Sequence, residues 1–240
     1  MTTRIGTAGW SIPRANADAF PSEGTALMRY AARFPAVEIN SSFHRPHRRD
    51  TWQRWGDSVP ADFRFAAKLP NAITHAARLV DCAGAISTFL DEAGGLGDKF
   101  AVLLVQLPPS LAFDAPSVAA LLTQLAAETP AAIAIEPRHA SWTTPEADAL
   151  LIAHRAARVA ADPARAPAFA HPGGWPGLAY WRLHGSPVMY RSSYADRIAD
   201  VAAAIAAHPA AKRWCIFDNN ASSAAATGDA LAMIVALPPR

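Results

Sequence analysis

Seven ionisable residues lie at the ends of short hydrophobic runs in this chain. Carboxyl groups and an imidazole can act as general acids and bases, while guanidinium and ammonium groups bind phosphates and carboxylates. The pattern therefore predicts a charged pocket that moves protons and binds an anionic or polyhydroxylated small molecule. The seven residues are Glu38, Lys68, Glu136, Arg138, Arg182, His184 and Asp218.

Among these residues, Glu136, Glu38 and His184 are the catalytic candidates, as acids or bases and as a second proton carrier. Two carboxyl groups would also suit glycoside hydrolysis, which depends on a separation that a sequence does not supply. Acidic residues and histidine can bind a divalent metal, as in a nuclease or hydrolase. The three Lys and Arg charges nearby disfavour a dication, so we predict no metal and no cofactor.

Eight hydrophobic runs carry these and other polar residues, and their starts are 21 to 38 residues apart. That spacing accommodates a strand, a helix and two loops. Eight such units in 240 residues predict an α/β protein with a TIM-type (β/α)8 parallel barrel, in which chemistry takes place where the strands end. The runs are residues 4–10, 36–43, 64–70, 102–109, 131–138, 157–164, 178–185 and 213–220.

Side chains two residues apart share one face of a strand. Val37 and Ile39 would therefore face the helices, while Glu38 would face the barrel interior. By the same alternation Arg182 and His184 share the inner face, and we expect all seven groups to meet at the C-terminal mouth. The alternative is a charge-compensated plug, but desolvating seven ionisable groups for structure alone would be costly.

Helices are predicted between the runs from Ala- and Leu-rich composition. Asp114 and Thr144 are predicted to cap two of them. Residues 163–177 carry four prolines and three glycines, which predicts a loop that acts as a rim or lid. The predicted helices are 26–34, 50–57, 83–93, 117–127, 146–157, 195–207 and 224–236.

Composition predicts one folded domain over residues 1–240, because 51% of the residues are hydrophobic and 18% are charged. The net charge of +2 gives no reason to expect attraction to nucleic acid or a membrane. No signal peptide is evident, and two cysteines form no disulfide framework. We therefore expect a cytoplasmic protein, with no indication of its oligomeric state.

Short motifs recur where the runs end. They are Gly6-Thr7-Ala8-Gly9-Trp10-Ser11, Val37-Glu38-Ile39-Asn40-Ser41-Ser42-Phe43, Lys68 with Ile73-Thr74-His75, Gln106-Leu107-Pro108-Pro109-Ser110, Glu136-Pro137-Arg138-His139 with Ser141-Trp142, Arg182-Leu183-His184-Gly185, Tyr190 with Tyr194, and Phe217-Asp218-Asn219. In order and nearly end to end, they resemble the motifs of the DUF72 (YecE-like) family. The resemblance implies a TIM-type barrel and no particular reaction. His44 departs from it, since the family usually has tyrosine there.

Further polar and aromatic residues at the strand ends are predicted to bind the ligand. Aromatic rings there can stack on a ligand, although they can equally serve loop packing. Asn219 precedes a helix whose N-terminus can bind phosphate, although plain capping by Asn220 or Ser222 is the alternative. These additional candidates are Asn40, Gln106, Asn219, Trp10, His44, Tyr190 and Tyr194.

Three functions remain open from the sequence. The first is an enzyme acting on a small molecule, with Lys68, Arg138, Arg182 and Asp218 binding the substrate. The second is a module that binds the same small-molecule ligand, for which a phosphate group is one candidate, without reaction. The third is a metal-dependent nuclease or hydrolase, which is the one route by which nucleic acid would be a partner.

Overall fold

A computed structural model describes residues 1–221 and 225–238. Ten strands and seven α-helices alternate along these residues. The strands are β1 (Thr2–Thr7), β2 (Ala36–Ile39), β3 (Arg64–Lys68), β4 (Phe100–Gln106), β5 (Ala132–Glu136), β6 (Ala156–Arg158), β7 (Ala160–Asp162), β8 (Gly173–Gly174), β9 (Leu178–Leu183) and β10 (Lys212–Phe217). The helices are α1 (Ala26–Ala31), α2 (Arg49–Asp57), α3 (Ala83–Ala93), α4 (Ala115–Glu128), α5 (Pro145–Ala153), α6 (Ile198–Ala207) and α7 (Ala225–Ala236).

The strands form two sheets that meet at both ends. One sheet has the order β1-β10-β9-β7, and the other has the order β2-β3-β4-β5-β6-β8. Only Val159 separates β6 from β7, so these are two halves of one strand. At the other seam, a parallel bridge joins Ala8 to Glu38. All neighbours except β8 are parallel, and the predicted TIM-type α/β fold is confirmed.

Small and large side chains complement one another inside the barrel. Ala66, Ala134 and Ala157 supply small side chains from β3, β5 and β6. Tyr180 and Trp214 fill the space from β9 and β10, with ring centroids 5.9 Å apart and nearly parallel planes. Alternate residues of the same strands point outward and pack against the helices in a second apolar cluster. This two-layer packing is the consequence of period-two alternation in parallel strands covered by helices.

Helix positions agree with the sequence patterns more closely than helix ends do. The predicted caps are confirmed, since the Asp114 and Thr144 side chains accept hydrogen bonds from the first turns of α4 and α5. The extension of α5 to residue 157 is wrong, because the chain turns at Arg155 (φ 53°) and starts β6 at Ala156. Periodicity in an Ala-rich stretch does not separate a helix end from a buried strand. The predicted start of the last helix, Ala224, lies outside the described residues.

The segment after β7 has no α-helix, as its prolines and glycines predict. It forms a 3-10 turn at Pro167–Ala170 and then β8, which pairs antiparallel with β6. Arg158 anchors the turn, because its guanidinium is bonded to Asp148 and to the carbonyl oxygen of Ala168. The loop is therefore fixed to the barrel by a buried cation.

None of the helices in the described ranges is long and apolar enough to cross a bilayer.

The seam between β1 and β2 depends on Gly6. A Cβ atom there would lie 2.2 Å from the carbonyl oxygen of Ala36, which is backbone and cannot rotate away. We predict that Gly6→Ala lowers the free energy of unfolding by about 1–3 kcal/mol, the usual cost of overpacking. Gly84→Ala is the matched control, since that position in α3 is open. It should leave stability unchanged or raise it by up to about 1 kcal/mol in urea unfolding. Equal stability of the two variants would contradict this account of the seam.

Candidate functional site

The C-terminal ends of the strands carry a buried polar cluster around one arginine. Glu38, Lys68, Gln106 and Glu136 lie at or next to the last residues of β2, β3, β4 and β5. Arg182 lies one residue before the end of β9, and Arg138, His184 and Asp218 follow β5, β9 and β10. All of them except Arg138 are buried, and Arg138 is half-buried.

Arg182 uses all five N–H donors of its guanidinium within the protein. Its Nε donates to Glu38 Oε2 at 3.0 Å, and its Nη2 donates to Glu38 Oε1 at 2.7 Å. Its Nη1 donates to Gln106 Oε1 at 3.1 Å and to Glu136 Oε2 at 2.6 Å. Nη2 also donates to Asp218 Oδ2 at 2.9 Å. Arg182 is fully buried and has no donor left for a ligand.

Glu38 is held on both carboxylate oxygens. Besides Arg182, the hydroxyl of Tyr180 donates to Glu38 Oε2 at 3.0 Å. Burial and the negative charge of Glu38 hold the pKa of Tyr180 well above its ordinary value, so the phenol keeps the proton that it donates. Glu38 thereby links the charged cluster to the aromatic layer below it.

His184 lies between two carboxylates. Its Nδ1 is 3.0 Å from Asp218 Oδ2, and its Nε2 is 3.3 Å from Glu136 Oε1. Burial lowers the pKa of His184, but Glu136 and the hydrogen bonds outweigh it, and the net shift is upward. Both ring nitrogens therefore face acceptors, an arrangement that suits the imidazolium form.

The carboxylates of Glu136 and Asp218 are stabilised as anions. Burial raises the pKa of both groups, but Arg182 and His184 outweigh it and lower each pKa below its ordinary value. Arg138 adds to this at Glu136 Oε1, with Nε at 2.9 Å and Nη2 at 2.7 Å. The sequence prediction makes Glu136 a general acid or base, and this pairing gives it low basicity near neutral pH.

Lys68 differs from the other cations in the cluster. Its Nζ lies 3.8 Å from the centroid of the Phe43 ring, a cation–π contact. Within the described ranges no carboxylate lies within 4.0 Å of this ammonium. Burial, and after it the charge of Arg182, lowers the pKa of Lys68 to about 8. Lys68 is thus a buried amine close to losing its proton.

Phe43 and His75 belong to this part of the mouth, although the sequence candidates do not include them. The Phe43 ring contacts His44 and His75, each with a centroid distance of 5.0 Å. His75 Nδ1 also lies 2.8 Å from Thr74 Oγ1. His44 is exposed beside Phe43, at the rim. Both residues stand in sequence motifs at the strand ends, and that position is the signal that could have found them.

The structure also shows which predicted ligand-binding residues reach the cluster. Tyr190 does, since its ring centroid is 5.7 Å from that of His184. Trp10 packs edge-on against Trp55 at 5.1 Å. The Tyr194 hydroxyl accepts from Gly185 N and donates to Asp162 O, both at 2.9 Å.

Two predicted asparagines have different surroundings. The amide nitrogen of Asn219 donates to Asp229 on α7 at 2.7 Å and to Ser192 O at 2.9 Å, so it fastens a loop to a helix. Asn40 Oδ1 is buried and, among the described residues, has no hydrogen-bond partner. Asn220 Nδ2 donates to Ala8 O at 3.0 Å, and capping by Ser222 lies outside the described residues.

A small cavity opens beside the cluster. It is lined by Glu136, Arg138 and His184, together with Arg165 and Phe169 from the loop after β7 and Met189 from the loop after β9. Larger cavities lie at the N-terminal ends of the strands. In residues 1–221 and 225–238, no three His, Cys, Asp or Glu side chains are grouped to hold a metal ion. The absence of a metal or cofactor in the working protein stays a prediction.

Removal of the Arg182 side chain should leave Glu38, Glu136 and Asp218 without their shared partner. We predict that Arg182→Met lowers the free energy of unfolding by about 3–5 kcal/mol, the usual cost of breaking a buried ion pair. Arg54→Met is the control, because Arg54 forms an exposed pair with Asp50 at 3.0 Å. That pair is exposed to solvent, so its loss should change stability far less than the loss of the Arg182 side chain in denaturant unfolding. A loss of stability no larger than in the control would contradict the central role of Arg182.

The His184 imidazolium should make stability depend on pH. A raised folded-state pKa adds stability that is fully present below the unfolded-state pKa of about 6.5 and disappears as pH rises through the folded-state pKa. We therefore expect the stability difference between the wild type and His184→Gln to be larger at about pH 6 than at about pH 9. Denaturant unfolding at both pH values measures it. A difference that grows with pH would show that the ring is held neutral.

Comparison with known proteins agrees with this architecture. Residues 4–240 match the family model described as "Protein of unknown function DUF72". The UPF0759 protein YecE of Escherichia coli K12 is 31% identical over 105 residues, which are 43% of this chain and 37% of that relative's length; YecE of strain O157:H7 gives the same values. The matched segment thus spans little more than a third of those relatives.

Two solved structures share the fold. A DUF72 family protein from Enterococcus faecalis V583 superposes with a TM-score of 0.82 at 21% identity, covering 100% of this chain and 99% of that one. A DUF72 family protein from Thermotoga maritima MSB8 gives a TM-score of 0.77 at 21% identity, with 98% of each chain covered. At this identity the similarity establishes the fold alone. The family model, which matches nearly the whole chain, shows that this protein belongs to the DUF72 family.

Proposed function

We propose that the C-terminal mouth of the barrel binds a small molecule bearing a phosphate or carboxylate. One observation carries the proposal: each carboxylate of the cluster is already paired, whereas the Lys68 ammonium has no anionic partner within 4.0 Å in the described chain. A buried cation without a counter-ion is costly. An anionic ligand would supply the missing partner.

The charge of the cluster supports an anion. Arg182, Arg138 and His184 engage the three carboxylates, so Lys68 remains a positive charge outside these pairs. These ion pairs give Arg182 a different role from that of Lys68. Every N–H donor of Arg182 is hydrogen-bonded within the protein, so Arg182 positions the carboxylates.

The ligand would contact the cations that retain donors. Lys68 has three N–H groups, and the contacts of Arg138 with Glu136 use Nε and Nη2. Gln106 ends β4 and Asn40 follows β2, the strands on either side of β3. Tyr190, in the loop after β9, lies beside His184 and would orient the ligand. These side chains fit the few convergent polar groups of a small-molecule pocket.

If the ligand reacts, the proposed proton donor is His184, because its raised pKa favours the protonated form. Glu136 and Glu38 remain catalytic candidates, and their pairing favours positioning over proton transfer. A metal-dependent nuclease or hydrolase is not favoured, because Arg182, Arg138 and His184 already occupy the carboxylate oxygens that a metal would need.

We also propose a cytoplasmic location and one domain over residues 1–240, on the composition described above.

The test is stabilisation by inorganic phosphate, with sodium chloride at matched ionic strength as the control salt. A ligand that binds only the folded state at about one hundred times its Kd adds about 2.7 kcal/mol and raises Tm. We predict that Lys68→Met with Arg138→Met abolishes this rise. Lys68→Met by itself should fold, since it removes a buried charge that has no counter-ion.

Lys212→Met with Arg64→Met is the matched control, because both positions lie at the opposite ends of the strands. It should keep the phosphate effect. An effect that survives the Lys68 and Arg138 pair, or that chloride reproduces in full, would place the anion elsewhere and refute the proposal.

A further inference from the structure

Lysine is scarce in this protein and its use is selective. Of the 22 basic residues, only Lys68, Lys99 and Lys212 are lysines, and the others are arginines. The Lys99 ammonium donates to the carbonyl oxygens of Gly56 and Val59 at 2.6 and 2.7 Å. Lys212 is exposed at the start of β10. Lys68 alone lies at the C-terminal mouth.

Arginine and lysine differ in a property that matters at this position. A guanidinium keeps its proton in proteins, whereas a buried ammonium can lose one and become a nucleophile. The two arginines of the cluster are paired with carboxylates in fixed geometry, for which arginine is suited. Lys68 has no such pair. A residue needed only for its charge at this site would not have to be lysine.

Burial of Lys68 lowers the pKa of its amine. The residue is only 5% exposed, which disfavours the ammonium, whereas the cation–π contact of Nζ with the Phe43 ring favours it. The charged groups that act on it are Arg182, which favours proton loss, and Glu38, Glu136 and Asp218, which oppose it. Burial and Arg182 prevail, and the pKa of about 8 leaves part of the population neutral near physiological pH. Desolvation and a neighbouring cation are the two devices that activate lysine nucleophiles.

We propose that Lys68 is a nucleophile that forms an imine with a small aldehyde or ketone carrying a phosphate or carboxylate. This inference rests on the proposed function, since the anionic group would bring the carbonyl carbon to the amine. The lone pair of Nζ forms a C–N bond while the C=O π pair moves to oxygen, which takes a proton. Nitrogen loses both of its protons through solvent, one to the oxygen and the other to the departing hydroxyl. The nitrogen lone pair forms the C=N bond as the C–O bond breaks, so that the amine and the carbonyl compound give the imine and one water molecule. No oxidant or reductant is needed.

Reductive trapping tests the proposal on the full chain. The protein is incubated with pyruvate, glyoxylate or dihydroxyacetone phosphate and then treated with sodium borohydride, which reduces an imine to a stable amine. We expect one adduct whose mass is that of the carbonyl compound less one oxygen atom. Peptide mapping should place it on Lys68, with labelling about tenfold or more above that of Lys212, because the neutral amine is the reactive form.

Two variants separate reaction from binding. Lys68→Arg keeps a positive charge but cannot form an imine, so we expect it to lose the adduct, while any remaining rise in Tm with phosphate reports binding. Lys212→Arg should retain both. Inorganic phosphate should compete with labelling of Lys68, and acetone should label it poorly at equal concentration.

The two hypotheses fail in different ways. A phosphate effect that depends on Lys68 and Arg138, with no adduct on Lys68 for any of the three anionic carbonyl compounds, would overturn the nucleophile and leave the anion site standing. Equal labelling of Lys68 and Lys212 would likewise overturn it. Labelling of Lys68 by acetone as efficient as by pyruvate, without any effect of phosphate on Tm, would overturn the anionic substrate class together with the proposed function.

Discussion

The guanidinium of Arg182 is the interaction on which the rest of this mouth depends. It binds side chains from β2, β4 and β5 and from the end of β10, while Arg182 itself lies on β9. A guanidinium is planar and its donors are fixed, so its partners must meet it at set positions. The buried charges offset their desolvation only when these bonds form together. The geometry of five strand ends is thereby coupled through one side chain.

This coupling also determines which groups remain for chemistry. Because Arg182 and Arg138 occupy the carboxylates of Glu38 and Glu136, these acids are engaged in ion pairs rather than free to exchange protons. The pKa of His184 is raised because the ring lies between the carboxylates of Glu136 and Asp218. The group outside these pairs is Lys68, at the edge of the cluster. The amine of Lys68 therefore lies beside a framework of mutually satisfied charges without belonging to it.

The layers below the cluster contribute to its rigidity. Tyr180 and Trp214 fill the barrel interior opposite small side chains, and the Tyr180 hydroxyl reaches up to Glu38. A change in packing in the apolar layer would therefore shift a carboxylate that binds Arg182. Close-packed interiors transmit such displacements, because they contain few voids that can absorb them. The packing of the mouth and that of the core are thus coupled. Arg158 in addition fixes the loop after β7 to the barrel.

The sequence by itself determined the barrel and the inner face of its strands. Hydrophobic runs at regular spacing indicate βα units, and period-two alternation assigns Glu38 and Arg182 to the interior, because both properties are local. Alternation predicts the face of the strand on which a side chain lies, but it does not give the distances between side chains. It therefore does not reveal that all five donors of Arg182 are bonded within the protein, while Lys68 has no carboxylate partner. The loops have no periodicity, and only the tertiary structure placed Tyr194 against backbone atoms and Phe43 beneath the Lys68 ammonium. Hydrogen-bond pairing and desolvation depend on atoms brought together from distant parts of the chain, and those were decided by the fold.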